Sequence, residues 1–340
     1  MERRDLDIIY NSAVNWRMYQ DKTILVSGAT GRLGRYILET LVDADLKYNL
    51  NLRVLGLARS KEKVQNVFGS ILEFPNVNFL YQDIHEPVAY DGPIDYIFHT
   101  AGPAAPRDFK DTCVETLWAH VAGTHNMLEL AKEKQAQRFF YISTVETYGE
   151  WTREDNITEE DMGPLRHLNS RACYPEAKRL CETMLASYKD EYGIDYCGVR
   201  FSHTLGPGIE LEDGRAFAEF INCALKEEDI VLHSKGNAMR TYTYVADAIN
   251  AVFLIMEKGE GTLYNVSTDE NLISIKDLAE LIASLAPSKK TKVTFSEKAS
   301  TLPYLPFKLA IMDTTKIRDL GWEPTVNNHD LFKWTMESFL

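Results

Sequence analysis

Gly28-Ala29-Thr30-Gly31-Arg32-Leu33-Gly34 constrains the fold more than any other segment of this chain. It follows directly on the apolar, β-branched run Thr23–Ser27 and opens a stretch, 32–46, with apolar residues at helical spacing. Strand, glycine turn and helix in that order place backbone N–H groups and the positive end of a helix at one point. A pyrophosphate binds such a point, because glycine lets the backbone approach it closely. Outside that setting the same glycines would be only a tight turn.

The rest of the chain keeps this rhythm. Short apolar runs at 52–58, 77–81, 95–99, 138–143 and 196–201 read as strands. Between them lie longer helical patterns, one at 111–134 and another starting near Tyr174. Such alternation predicts an α/β fold, a doubly wound Rossmann sheet of mostly parallel strands with helices on both faces. After Gly206-Pro207-Gly208 the segments shorten, with turns at Gly236-Asn237 and 259–261 and a last helix near Leu331. The expected organisation is therefore an N-terminal extension, 1–21, a dinucleotide-binding domain, 22–204, and a smaller C-terminal α/β substrate lobe, 205–340. Some chain of that lobe is expected to return to the main sheet. The extension either packs as a helix, on the body or on a partner subunit, or frays.

A net charge of −13 over 340 residues argues against a nucleic-acid partner and against an anionic membrane surface. It does not oppose a small anionic ligand, which a local nest of N–H groups or a few arginines can hold. No run of about 18 apolar residues is present to span a bilayer. The five cysteines, Cys113, Cys173, Cys181, Cys197 and Cys223, form no C-x-x-C pair. They suggest no disulfide framework, so a reducing, cytoplasmic setting is expected, and no metal-ligand cluster stands out.

Two groups of residues carry chemistry. At the end of the second strand a dinucleotide fold usually has an acid for the ribose hydroxyls; this chain has Ala58-Arg59-Ser60. Arg59 would suit a 2′-phosphate, and thus NADP, or it stacks on adenine or lies in solvent. Asp83-Ile84, after the third strand, is placed to contact the adenine. The second group is Tyr174-Pro-Glu-Ala-Lys178. Residues four apart share a helix face, so Lys178 can make the Tyr174 phenol, ordinarily of pKa about 10, a usable base. Ser143-Thr144 ends the preceding strand, where the Thr144 hydroxyl can reach the same substrate oxygen.

From Lys22 to Leu340 the chain resembles the extended short-chain dehydrogenase/reductase superfamily of sugar-nucleotide epimerases, dehydratases and decarboxylases. It is most similar to the UDP-glucuronate decarboxylase (UDP-xylose synthase) branch. The resemblance is carried by His99-Thr-Ala-Gly-Pro-Ala-Ala-Pro106, Ser143-Thr-Val-Glu-Thr-Tyr-Gly149, Arg171-Ala-Cys-Tyr-Pro-Glu-Ala-Lys-Arg179, Asp213-Gly-Arg215, Arg240-Thr-Tyr-Thr-Tyr-Val245 and Leu320-Gly-Trp-Glu-Pro324.

It implies a tightly held NAD on Gly28, Thr30, Gly31, Arg32, Leu33, Gly34, Arg59, Asp83, Ile84, Ala101, Pro103, Tyr174 and Lys178. It also implies a nucleotide-sugar substrate on Pro103, Ala104, His203, Arg215 and Arg240. Catalysis would fall to Thr144, Glu146, Tyr174, Lys178 and Arg240, with Glu146 beside the sugar C5 and Arg240 near the sugar carboxylate. A homodimer paired through helices around 111–134 and 174–191 is implied too.

Three positions depart from the pattern. Val145 stands where dehydratases carry an acid and decarboxylases a serine, and His120 and His203 each replace an asparagine. The resemblance therefore leaves three enzymatic outcomes open: decarboxylation, 4-epimerisation, and NADP-dependent reduction. A dinucleotide-binding protein without catalysis is disfavoured by the intact Thr144, Tyr174 and Lys178.

Overall fold

Strand β1 (Thr23–Ser27) is buried along its whole length, as a strand is when helices cover both faces of a parallel sheet. In the computed structural model, which describes residues 1–296 and 311–340, β1 lies inside a seven-stranded sheet. It pairs in parallel with β2 (Arg53–Ala58), which pairs with β3 (Val77–Tyr81). On its other side come β4 (Tyr96–His99), β5 (Arg138–Thr144) and β6 (Tyr196–Phe201), again all parallel. The segment Leu263–Val266 completes the sheet beside β6, so chain from the C-terminal third does return to it. The order reverses between β1 and β4, and in such sheets the ligand crevice opens at that point, beyond the carboxyl ends of the strands.

Helix α1 (Arg3–Ile9) is the N-terminal extension, and it packs on the body rather than fraying. Its Asp5 is fully buried and accepts hydrogen bonds of 2.8 Å from the Tyr36 and Tyr244 hydroxyls. Asn250 donates to the carbonyls of Ile8 and Ile9. Trp16 and Tyr19 then enter the core against Phe253. Helix α2 (Arg32–Tyr48) begins at Gly31 and ends on left-handed Asn49. Helix α3 (Lys61–Phe68) is capped by the Ser60 hydroxyl, which accepts from the Lys63 N–H.

The helix expected at 111–134 is present, and a shorter helix precedes it. Pro106 opens α4 (Pro106–Asp111) at its first turn, where the missing N–H costs nothing. Thr112, at φ −136° and ψ 47°, breaks the helical path before α5 (Cys113–Lys134). The break turns Phe109 of α4 into the interior. α5 lies alongside α6 (Cys173–Tyr192).

Beyond β6 the chain leaves the main sheet. His203–Leu205 pairs in parallel with Tyr242–Tyr244, and helices α7 (Ala216–Leu225) and α8 (Val245–Lys258) pack around this small layer. Within the expected 205–340 lobe, residues 297–310 lie outside the described part. The last helix is Asn328–Glu337. No helix of the described residues is long and apolar enough to cross a membrane.

Candidate active site

The glycine turn lies where β1 meets α2. Gly28 has φ +65°, and a Cβ there would stand 2.7 Å from the Ala101 Cα, so no other residue fits between the turn and the loop after β4. That loop is held from below. The Ser27 hydroxyl pairs with His99 Nδ1 at 2.7 Å and accepts from the Thr100 and Ala101 N–H groups. Burial pushes His99 down to about 3, so it stays neutral.

A cleft of about 450 Å³ opens beside Thr30, Gly31, Arg32, Arg35, Lys63 and Gly208. Arg32 donates from Nη2 to the Thr204 carbonyl at 2.7 Å, while its Nη1 is buried without a protein partner. A helix N-terminus, a turn with no room for side chains and an unsatisfied guanidinium suit a pyrophosphate. At the end of β2, Arg59 is exposed and lies 3.8 Å from Asp83. Asp83 in turn accepts from the backbone and ring of His85, which with Arg59 hold it below the usual carboxylate range. Ile84 packs against α5 at Gly123.

Across the crevice, β5 ends at Thr144 and α6 presents Tyr174 and Lys178, both buried. Lys178 Nζ donates to the Ile142 carbonyl at 2.6 Å, and burial lowers it to about 8. Burial, aided by the charge of Glu146, pushes Tyr174 up to about 12, while its hydrogen bond with Thr144 pulls it back. A phenol at about 12 is a poor base near neutrality, and a positive charge brought into the crevice would lower it.

His120, on α5, lies edge-on to the Tyr174 ring at 5.3 Å and donates from Nε2 to the Pro103 carbonyl at 2.9 Å. Its Nδ1 has no protein partner. Burial and Lys178 drive its pKa well down, so the ring is neutral. It fits only because Gly102, at φ +137°, has no side chain: a Cβ there would lie 2.2 Å from His120 Cε1.

Glu146, in the turn after β5, is half-buried beside Tyr174. Both its oxygens accept from Arg171 Nη2, at 3.0 and 2.9 Å. Val145 turns the other way, into an apolar cluster with Tyr148, Trp151, Ile157 and Met312. From the C-terminal part of the chain come three more groups. Arg215 donates to the Ala104 carbonyl at 2.5 Å and sits 3.6 Å from Asp213. Arg240 donates only to the adjacent Met239 carbonyl and forms no ion pair among the described residues. Burial, with the fields of Arg240 and Arg215, drives His203 well below its ordinary pKa.

Of the expected residues, the structure brings Thr144, Glu146 and Tyr174 together, with Arg215 close enough for its charge to act on Glu146 and Tyr174; Arg59 stands with Asp83, and Arg240 with His203. Arg171 and Phe109 were not expected in this role. Arg171 stood in a quoted motif without a part to play, and nothing in the spacing around Phe109 marks it. Among the described residues no group of three metal-ligating side chains occurs.

This arrangement, a Rossmann crevice facing a buried tyrosine–lysine pair, is that of dinucleotide-dependent oxidoreduction. Residues 24–267 match the NAD dependent epimerase/dehydratase family, and the chain belongs to it. It is 30% identical over 305 residues to UDP-glucuronic acid decarboxylase 5 of Arabidopsis thaliana, covering 89% of this chain and 85% of that one. The fold is that of the UDP-glucose 4-epimerase of Thermotoga maritima, solved with UDP-glucose (TM-score 0.77, 23% identity, 93% of this chain and 98% of that one). It is equally that of the UDP-glucuronic acid 4-epimerase of Bacillus cereus, solved with a UDP-sugar and NAD (TM-score 0.77, 21% identity, 93% and 98%).

Proposed function

We propose that this protein oxidises C4 of a nucleotide sugar with a tightly bound NAD and is a UDP-glucuronate decarboxylase. The observation that carries the reading is Arg240. A half-buried guanidinium with no acidic partner among the described residues is free to pair with an anion from outside the chain, and it stands beside His203, whose ring also feels the charge of Arg215. A hexuronate supplies that anion as its own carboxylate, while Arg215 is left for the diphosphate, for which a guanidinium fork is well suited.

NAD would be held by Gly28, Gly31 and Arg32 along the glycine turn and would supply the hydride acceptor for C4. Tyr174 removes the proton of the 4-hydroxyl, and Lys178 and Thr144 stabilise the phenolate and the substrate oxygen. In the resulting 4-keto acid the C5–C6 bond breaks, its electrons pass to the C4 oxygen and carbon dioxide leaves. Glu146 stands beside C5 to supply the proton that replaces the carboxylate, and Tyr174 gives its proton back to the C4 oxygen. The net reaction consumes one proton and releases one carbon dioxide.

The test is direct: purified protein with UDP-glucuronate and NAD should release carbon dioxide and form a UDP-pentose. Failure to produce carbon dioxide and any pentose or 4-keto sugar would overturn the reading.

A 4-epimerase is the second reading, favoured by Val145, which leaves no hydroxyl beside C5. Inversion at C4 without loss of carbon dioxide would select it. Net consumption of NADPH would instead select an NADP-dependent reductase, for which Arg59 would bind the 2′-phosphate.

A homodimer belongs to this proposal. Val114 (69% exposed), Trp118 (55%) and Leu180 (48%) place apolar surface on the outer sides of the adjoining helices α5 and α6. The five free cysteines fit a reducing cytoplasm.

A further inference from the structure

Arg171 belongs to no other ion pair among the described residues. Its Nη2 reaches both oxygens of Glu146, and its Nε is buried without a partner. The flat face of its guanidinium lies on the Phe109 ring, 4.6 Å from the centroid. Phe109 in turn is stacked on Tyr174, 4.4 Å between centroids and 16° from parallel. Four side chains from three separate segments thus form one column: Glu146 after β5, Arg171 and Tyr174 around the start of α6, and Phe109 from α4.

A partly buried ion pair such as this one adds little stability, because desolvation offsets much of its Coulomb gain. Its position against the catalytic phenol calls for another explanation. We propose that Arg171 is a positioning residue, holding Glu146 at a fixed place and charge beside Tyr174 for the step at C5, with Phe109 as the spacer that ties this pair to the phenol ring. The inference rests on the reading of Glu146 as the group that acts at C5.

Burial raises the Glu146 carboxyl above its ordinary value, while Arg171 first and Arg215 second pull it down. The other titratable groups facing it are Tyr174 and Cys173. A proton donor works best when it both gives and regains its proton near the working pH. Glu146 without Arg171 would keep its proton too tightly and lose its fixed orientation. Oxidation at C4 is carried by Thr144, Tyr174 and Lys178; Arg171 reaches that step only as the last of the charges lowering the phenol, so its loss should slow oxidation slightly.

The experiment compares wild type, Arg171→Met and Arg171→Lys in single turnovers with UDP-glucuronate, following reduced nicotinamide and carbon dioxide separately. Arg171→Met should oxidise C4 within about threefold of wild type and lose carbon dioxide release by on the order of 100-fold. Arg171→Lys, which keeps the charge, should recover most of that loss. In parallel, the Glu146 carboxyl is titrated by infrared difference against Glu146→Gln, without cofactor or substrate. In Arg171→Met its midpoint should move to higher pH.

An unmoved midpoint, or carbon dioxide release that follows C4 oxidation unchanged in Arg171→Met, overturns the inference. Should Arg171→Met not fold, Arg171→Gln, which is polar but uncharged, takes its place, and an unmoved midpoint or an unchanged release in it overturns the inference. If wild type itself forms no reduced nicotinamide with UDP-glucuronate, the proposed function falls, and the infrared midpoint still judges Arg171.

Discussion

Burial sets Tyr174 at about 12 and Lys178 at about 8, so near neutrality the phenol is protonated and most of the amine is ammonium. The reactive form needs the phenolate beside that ammonium. Raising pH produces phenolate but removes the ammonium proton, so the free protein holds little of that form at any pH. Tyrosinate absorbance, read against Tyr174→Phe, should therefore titrate near the upper value in the free protein. It should titrate well below that once the oxidised dinucleotide, with its positive ring, is added. Tyr174→Phe itself should lower turnover by about 10²–10⁴-fold and leave dinucleotide affinity nearly unchanged, as judged by calorimetry.

A second residue-scale coupling joins Gly102 and His120, because the imidazole occupies the space a side chain would need. Gly102→Ala should cost about 1–3 kcal/mol, given its positive φ. Adding His120→Asn should restore part of the loss. Chemical denaturation of the four proteins in the cycle measures the interaction; additive effects would show that the two positions do not meet. No spacing rule links residues 102 and 120, which is why His120 reads from the sequence only as an unusual substitution.

Among the elements, α1 has the least predictable place. Its short sequence, RRDLDII, carries no strong helical signal, and isolated helices of this length are marginal in water. What holds it is one buried carboxylate between a tyrosine of α2 and a tyrosine of the C-terminal layer. Asp5→Ala should destabilise the protein by roughly 3 kcal/mol, since two charge-assisted bonds are lost and two buried hydroxyls are left unpaired. Protease cleavage around residues 10–16 should quicken in that variant; unchanged cleavage would mean that α1 is held by its apolar contacts alone. The helical spacing at 111–134 is that of α5 alone, and the short α4 before it, which carries Phe109 onto Tyr174, leaves no mark in that spacing.

At the scale of the whole molecule, the outer face of α5 and α6 makes a prediction about assembly. Trp118→Glu with Leu180→Glu should convert a dimer to monomer in sedimentation while leaving the unfolding midpoint nearly unchanged, because both side chains already face solvent within one chain. An unaltered sedimentation coefficient would remove this face as the interface.

The sheet, the glycine turn and the Tyr174–Lys178 helix were all legible in the residue order. Each is encoded by periodicity, or by a local conformation that few residues can adopt: β-branched runs for buried strands, Gly28 for a turn with no room for a side chain, and a four-residue spacing for one helix face. Such signals act over a few positions, so a single chain carries them in full. What only the tertiary structure decided are the meetings between distant segments. These include Arg171 on Glu146, Phe109 on Tyr174, Gly102 under His120, Asp5 between two tyrosines, and Arg240 without a partner among the described residues. Their cause is close packing and the expense of burying a charge or polar group unmatched. Both depend on which surfaces the fold brings together, and neither leaves a local pattern to read.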